Sequence, residues 1–263
     1  MRWIAWTLIA FLMVTRVRAS RHAHAVEYRD GEARLEGYLA SGEGAKGKRP
    51  GILVVHDWMG ISAETRRRCD MLAGLGYVAF AADIYGKGAA PSSAGEAAAL
   101  AGQYKGDRAL YRRRLLAALD QLKKEPRVDP SNIAAIGYCF GGTGVLELAR
   151  AGADVKGVVS FHGGLDSPHP GDGKAIRAKV LVLHGADDPF NSPEDIAAFQ
   201  EEMRKGGVDW QMIYYGGAVH SFTHPGAGSD NSKGAAYNAL ADARSWRAMR
   251  DFFGEIFAKR PAQ

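Results

Sequence analysis

The residue most able to do chemistry in this chain is Cys139, which stands in Gly137-Tyr138-Cys139-Phe140-Gly141, between the apolar run Ile133–Ile136 and a helical stretch reaching about Ala151. A cysteine attacks as its thiolate, and a helix N-terminus beside the sulfur favours that form. A sharp strand-to-helix turn lifts the central side chain clear of the backbone, and the residues two positions away on each side must then lack bulk, which the two glycines supply. The first N–H of the helix, on Phe140, can stabilise an oxyanion. Alone, such a motif competes evenly with a buried structural thiol. Two further segments tilt the balance. Val180–Leu183 is an apolar run followed by His184-Gly185-Ala186-Asp187-Asp188-Pro189, which puts a carboxylate just past a strand end. Asp188 is the expected acid and Asp187 the alternative. His220, in Gly216-Gly217-Ala218-Val219-His220-Ser221-Phe222, is the expected base. Its rivals are His24, His56, His162, His169, His184 and His224. His56 and His184 also lie at strand ends, but His220 comes after both other members, in the chain order nucleophile, acid, base.

These residues need a scaffold that brings distant strand ends together. Val26–Leu39 reads as a hairpin turning at Asp30-Gly31. Gly51–Val55, Tyr77–Asp83, Ile133–Ile136, Val155–Phe161, Val180–His184 and Val208–Tyr215 are short apolar runs, the pattern of strands buried on both faces. Between them lie helical patterns at Ser62–Leu75, Gly95–Tyr104, Asp107–Lys124, Pro193–Lys205 and Ala235–Phe257. Ser62 is an expected N-cap and Gly76 a stop. The alternation predicts an α/β fold with a mostly parallel central sheet and helices on both faces. There is no internal repeat and no sign of a second domain.

At 263 residues, 46% hydrophobic and 24% charged, the composition is that of a globular chain and not of a disordered one. The net charge of +5 is dispersed, no nucleic-acid motif accompanies it, and runs such as Arg112-Arg113-Arg114 read as solvated helix faces. The start is different. Trp3–Val14 is apolar apart from Thr7, too short to span a bilayer but suited to a signal peptide, with Ala23-His24-Ala25 as the expected cleavage pattern and Val17-Arg18-Ala19 as the weaker one. The expected division is therefore a signal segment over residues 1–25 and one domain over 26–263, in an exported, periplasmic or secreted protein. An uncleaved anchor is the alternative and the sole expected membrane link. His22 and His24 are not expected to bind metal. Cys69 sits inside a helical pattern as a small buried hydrophobe, so no disulfide with Cys139 is expected.

The chain resembles the dienelactone hydrolase family of the α/β-hydrolase fold from about Gly51 to Phe257. The resemblance rests on Gly137-Tyr138-Cys139-Phe140-Gly141-Gly142, Gly185-Ala186-Asp187-Asp188-Pro189-Phe190 and Ala218-Val219-His220-Ser221-Phe222. It implies a Cys139-Asp188-His220 triad, no metal or other cofactor, and hydrolysis of a small ester or lactone through an acyl-thioester. It also places Asp57, in His56-Asp57-Trp58-Met59-Gly60, where the family has a glutamate thought to accept the thiol proton, and makes Trp58 the second oxyanion donor beside Phe140. His224 stands where founding members carry an arginine for the substrate carboxylate; Arg108 and Arg112 are candidates for the other such arginine. A neutral His224 does not replace a bidentate guanidinium. Trp58, Tyr85 and Phe222 are instead expected to form an aromatic mouth for a neutral or aromatic ester. The competing readings are a thioesterase or peptidase with the same triad and a non-catalytic scaffold of this fold. The protein is expected to act as a monomer on a small molecule, without nucleic acid.

Overall fold

The computed structural model describes residues 21–42 and 47–258. Most of the signal segment lies outside them. Strands β1 (Arg21–Asp30) and β2 (Ala33–Gly42) form the expected hairpin, and Gly31 takes a positive φ at its turn. β1 begins before the expected cleavage point: Arg21–Ala25 pair rung by rung with Gly42–Tyr38.

The apolar runs become β3 (Arg49–Val55), β4 (Val78–Ala82), β5 (Val128–Tyr138), β6 (Gly157–Phe161), β7 (Lys179–Gly185) and β8 (Trp210–Tyr215). Together with the hairpin they make one eight-stranded sheet in the order β1-β2-β4-β3-β5-β6-β7-β8. β1 and β2 are antiparallel; β3 to β8 all run parallel. The antiparallel hairpin sits at one edge, where a single polar face is tolerated, and the all-buried strands sit in the middle. β5 extends well beyond the expected Ile133–Ile136. Val128 and Asp129 pair with Arg49 and Pro50, and the register shifts between Pro50 and Gly51. That polar, proline-bearing stretch has no strand-like pattern of its own, so tertiary pairing makes it a strand.

Among the described residues six α-helices cover the sheet: α1 (Ala63–Gly74), α2 (Ala94–Gly106), α3 (Arg108–Lys124), α4 (Phe140–Arg150), α5 (Pro193–Gly206) and α6 (Ala239–Phe257). Ser62 caps α1 by accepting from the Thr65 N–H, as its position predicts. Asp107 ends α2 and caps α3, turning the residues between β4 and β5 into two helices. Two apolar cores result. One, on the α2–α5 side, contains Leu53, Phe80, Tyr111, Leu115, Val145 and Phe199. The other, under α1 and α6, contains Ile52, Cys69, Leu72, Phe161, Met249 and Phe253. This is the α/β-hydrolase arrangement, and it brings the carboxyl ends of β3, β5, β6, β7 and β8 to one rim of the sheet.

Candidate active site

Cys139 joins β5 to α4 in a backbone state that few non-glycine residues adopt, φ 54° and ψ −115°. The turn closes only because its neighbours are glycines. A Cβ on Gly137 would lie 1.9 Å from the Gly141 oxygen, and one on Gly141 would lie 2.2 Å from the Val55 oxygen. The Phe140 amide is at the first position of α4, where no intrahelical acceptor exists. The Phe140 ring anchors the helix start: it stacks on Tyr111 at 4.6 Å, and the Tyr111 hydroxyl donates to the Phe140 carbonyl at 2.9 Å.

His220 follows β8 and is held by its backbone. Its N–H donates to the Gly234 carbonyl at 3.1 Å, and its own carbonyl accepts from Ala236 at 3.0 Å. Ser221 next to it has φ 58°, which turns the chain sharply and lets His224 N–H close on the Ser221 carbonyl. The Cys139 sulfur lies close enough to the His220 ring to raise its pKa, and His220 Nδ1 lies 2.9 Å from Asp188 Oδ2 on the other side. The Asp188 carboxylate is buried, and its second oxygen accepts the Phe190 N–H at 2.9 Å. Burial alone would lower the pKa of His220, but the Cys139 sulfur and the Asp188 carboxylate outweigh it and raise it to about 10. The structure thus brings together the three residues picked out in sequence. Asp187 is excluded from the cluster; its N–H is bonded to the Ala218 carbonyl.

The other expected residues fall into two groups. Asp57 and Trp58 reach the site. Both line the cleft at Cys139, but Asp57 uses Oδ1 to accept the Met59 N–H at 2.7 Å, a turn-capping bond, and makes no hydrogen bond to Cys139 or His220. The Trp58 peptide is fixed by the Tyr85 hydroxyl, which donates to its carbonyl at 3.0 Å. Tyr85 and Phe222 are corrections: neither forms part of a mouth. Tyr85 is buried behind Trp58 against His56 and Phe140. Phe222 is fully buried between His162 and Tyr215. Aromatic residues next to a site are as often its supports as its walls. Arg108 and Arg112 are corrections of the same kind, since they pair with Asp166 and with Glu147 and Asp172 away from the cleft. His224 lines the cleft, with Nδ1 accepting the Gly226 N–H at 2.9 Å.

Cys139 lies where two clefts meet. One, of about 290 Å³, holds the polar side chains Asp57, Glu64, Arg68, Thr223 and His224 among its walls. The other, of about 390 Å³, is more apolar, with Ala101, Phe140 and Phe190 in its walls and Lys105 among its lining residues. Trp58 borders both. Phe190, largely exposed, stands edge-on to the His220 ring at 5.1 Å and is the aromatic wall that sequence reading missed, although it follows Asp188 by only two residues. Arg68 was also missed. It is buried, pairs with Glu64 and Asp242, and donates to the Thr223 carbonyl at 2.6 Å, so it ties α1, α6 and the His220 segment together. Nothing in the helical pattern of α1 marks this arginine apart from its neighbours Arg66 and Arg67. The rival histidine His56 is neutral, its pKa lowered by burial, with Nδ1 on the Asp57 carbonyl and Nε2 accepting from Ile84.

The comparisons bear on family and fold. The model of the dienelactone hydrolase family matches residues 35–257. A solved structure named m3DLH is 44% identical, covers 90% of this chain and 99% of that one, and superposes with a TM-score of 0.87. A dienelactone hydrolase-like promiscuous phosphotriesterase from metagenomic libraries is 46% identical with the same coverage and a TM-score of 0.85. A putative carboxymethylenebutenolidase from Aquifex aeolicus is 25% identical over 233 residues, which is 87% of this chain and 96% of the relative.

Proposed function

This chain belongs to the dienelactone hydrolase family and is a carboxylic ester hydrolase, and on that footing we propose that Cys139 is its nucleophile, working with His220 and Asp188 through an acyl-thioester. One observation carries the reading: a cysteine in a strained helix-initiating turn, beside a histidine whose pKa its sulfur raises and which is itself bonded to a buried aspartate. His220, its pKa raised, takes the Cys139 proton as the thiol attacks. The sulfur attacks the ester carbonyl, and the oxyanion is met by the N–H groups of Phe140 and Trp58. The carbonyl re-forms, the C–O bond breaks, and His220 gives its proton to the leaving alcohol. Neutral His220 then takes a proton from water, whose oxygen attacks the thioester; the acid leaves and His220 hands the proton back to the Cys139 sulfur. Asp188 keeps the His220 tautomer and offsets its charge. Asp57 holds the Trp58 turn in shape.

The proposed substrate is a small ester or lactone with one apolar arm lying between Phe140 and Phe190 and a smaller polar arm in the opposite cleft. Lys105 is the cation available to an anionic tail on the apolar side. The test has two parts. Incubation with p-nitrophenyl acetate under acid quench should leave one acetyl group on the peptide containing Cys139, and an unlabelled Cys139 peptide would sink the mechanism. A series of esters and lactones of varied charge should be turned over fastest when neutral and aromatic; preference for a dianionic lactone would overturn that part. The 46% identity to a promiscuous phosphotriesterase supports a second reading, attack by the same sulfur at the phosphorus of a neutral phosphotriester, breaking one P–O bond and expelling that alcohol with the proton from His220.

We also propose that the protein is exported and acts as a monomer. The Trp3–Val14 run supports export. Cleavage after Ala25 would strip Arg21–Ala25 from β1, whereas cleavage after Ala19 would leave the hairpin whole, which now favours the earlier site. N-terminal sequencing of the mature protein decides it: a start at Val26 would contradict this choice, and a start at Met1 would mean an anchor.

A further inference from the structure

His162 follows β6 directly and has no part in the mechanism above, yet it lies beneath both of that mechanism's moving parts. It is almost fully buried and has φ 40°, one of three non-glycine residues with positive φ among the described residues; the other two are Cys139 and Ser221. Strain of this kind persists only where surrounding structure holds it. The Cys139 N–H, whose ladder partner is the Phe161 carbonyl at 3.0 Å, also points to His162 Nδ1 at 3.2 Å. Nδ1 is therefore an acceptor and carries no proton. The proton is on Nε2, which donates to Thr223 Oγ1 at 2.8 Å. Thr223 is three residues past His220, and its carbonyl is the one gripped by buried Arg68. The His162 ring also meets the His220 ring edge-on at 5.2 Å and Phe222 at 5.0 Å. Burial first, and then the charge of His220, hold His162 well below the usual histidine range, which agrees with the neutral tautomer the hydrogen bonds require.

We propose that His162 is a positioning residue for the hydrolysis: its neutral ring holds the Cys139 amide with one nitrogen and, through Thr223, the His220 segment with the other, so that nucleophile and base keep one separation. Arg68, over the Tyr138 ring at 5.4 Å and bonded to the Thr223 carbonyl, joins β5 to that loop from the α1 side, whereas His162 bonds to the Cys139 amide itself. A sulfur and an imidazole set by two separate elements need such a strut, because small misplacement of reacting groups costs rate steeply. This inference rests on the nucleophile reading of Cys139.

The experiment is a double-mutant cycle on His162 and Thr223. His162→Asn keeps an acceptor near the Cys139 N–H and tolerates positive φ, but cannot reach Thr223. Thr223→Val keeps the shape and loses the acceptor. Each variant should lower kcat about tenfold with KM within about twofold of the parent, and should slow alkylation of Cys139 by iodoacetamide in parallel. The double variant should be no worse than either single one, since both cut the same link. Thr223→Ser should recover most of kcat, and the Thr223→Val and Thr223→Ser pair decides the matter alone if His162→Asn does not fold. Unchanged kcat in Thr223→Val, or full additivity in the cycle, overturns the proposal. A Cys139→Ala control separates the two ideas. Residual turnover there sinks the nucleophile reading, whereas an inactive Cys139→Ala beside a fully active Thr223→Val sinks only the strut.

Discussion

Cys139 and Cys69 carry the same thiol into opposite surroundings. Cys69 lies in the middle of α1, fully buried in the core shared with Leu72, Ile52 and α6. Burial there pushes its thiol well up, so it stays protonated and inert. Cys139 is partly exposed, sits at the start of α4 instead of within a helix, and meets a histidine raised by the sulfur itself and by a carboxylate. Residue type does not separate these two cysteines. Backbone geometry does: the interior of a regular helix hides a side chain among its neighbours, while a strained strand–helix turn raises it at the helix end where the backbone donors point.

The comparison breaks most severely at Cys139 itself. Cys139→Ala should lower kcat for p-nitrophenyl acetate by on the order of 10⁴-fold or more while circular dichroism stays that of the parent; Cys69→Ala should leave kcat within about twofold. Asp188→Asn should cost less, about 10²- to 10³-fold in kcat, because the ring loses its tautomer and its counter-charge but the sulfur remains. Single-turnover kinetics at one pH would show the loss in acylation.

The next prediction concerns protons. His220 is raised from 6.5 to about 10, so its contribution to stability is complete below about pH 6.5 and is lost as pH rises towards 10. In Cys139→Ala the sulfur no longer holds that proton. The denaturation midpoint of the parent should therefore fall more between pH 6.5 and 10 than that of the variant; parallel curves would show that the sulfur does not raise the His220 pKa. Alkylation sharpens the contrast further. Native protein should take up one equivalent of iodoacetamide, at Cys139, and Cys69 should react only in denaturant. The smallest effect is in the core, where Cys69→Ala removes one buried sulfur and should cost about 1 kcal/mol in thermal unfolding.

Much of the architecture was readable in the chain. Strands buried on both faces must be apolar along their whole length, so Gly51–Val55 and Val180–His184 declared themselves. Ser62 and Asp107 sit where an orphan N–H needs an acceptor. The elbow was readable for a similar reason, since Gly137 and Gly141 are dictated by contacts of 1.9 and 2.2 Å that no side chain survives. Tyr85, Phe222, Arg108 and Arg112 were misplaced because an aromatic or a cation near a motif looks the same whether it faces the cleft or braces the wall behind it. His162 was only one histidine among several, and Arg68 one arginine in a run of three.

By itself the sequence determined the order and type of the elements and the chemical identity of the three residues at their ends, because burial patterns, caps and close-packed glycines are local demands written residue by residue. Only the tertiary structure decided which side chains meet. Arg68, His162 and Thr223 come from α1, the bend after β6 and the loop after β8, and their hydrogen bonds exist only once the sheet has brought those strand ends to one rim. Facing direction and long-range pairing depend on the whole packed sheet, and no local pattern encodes them.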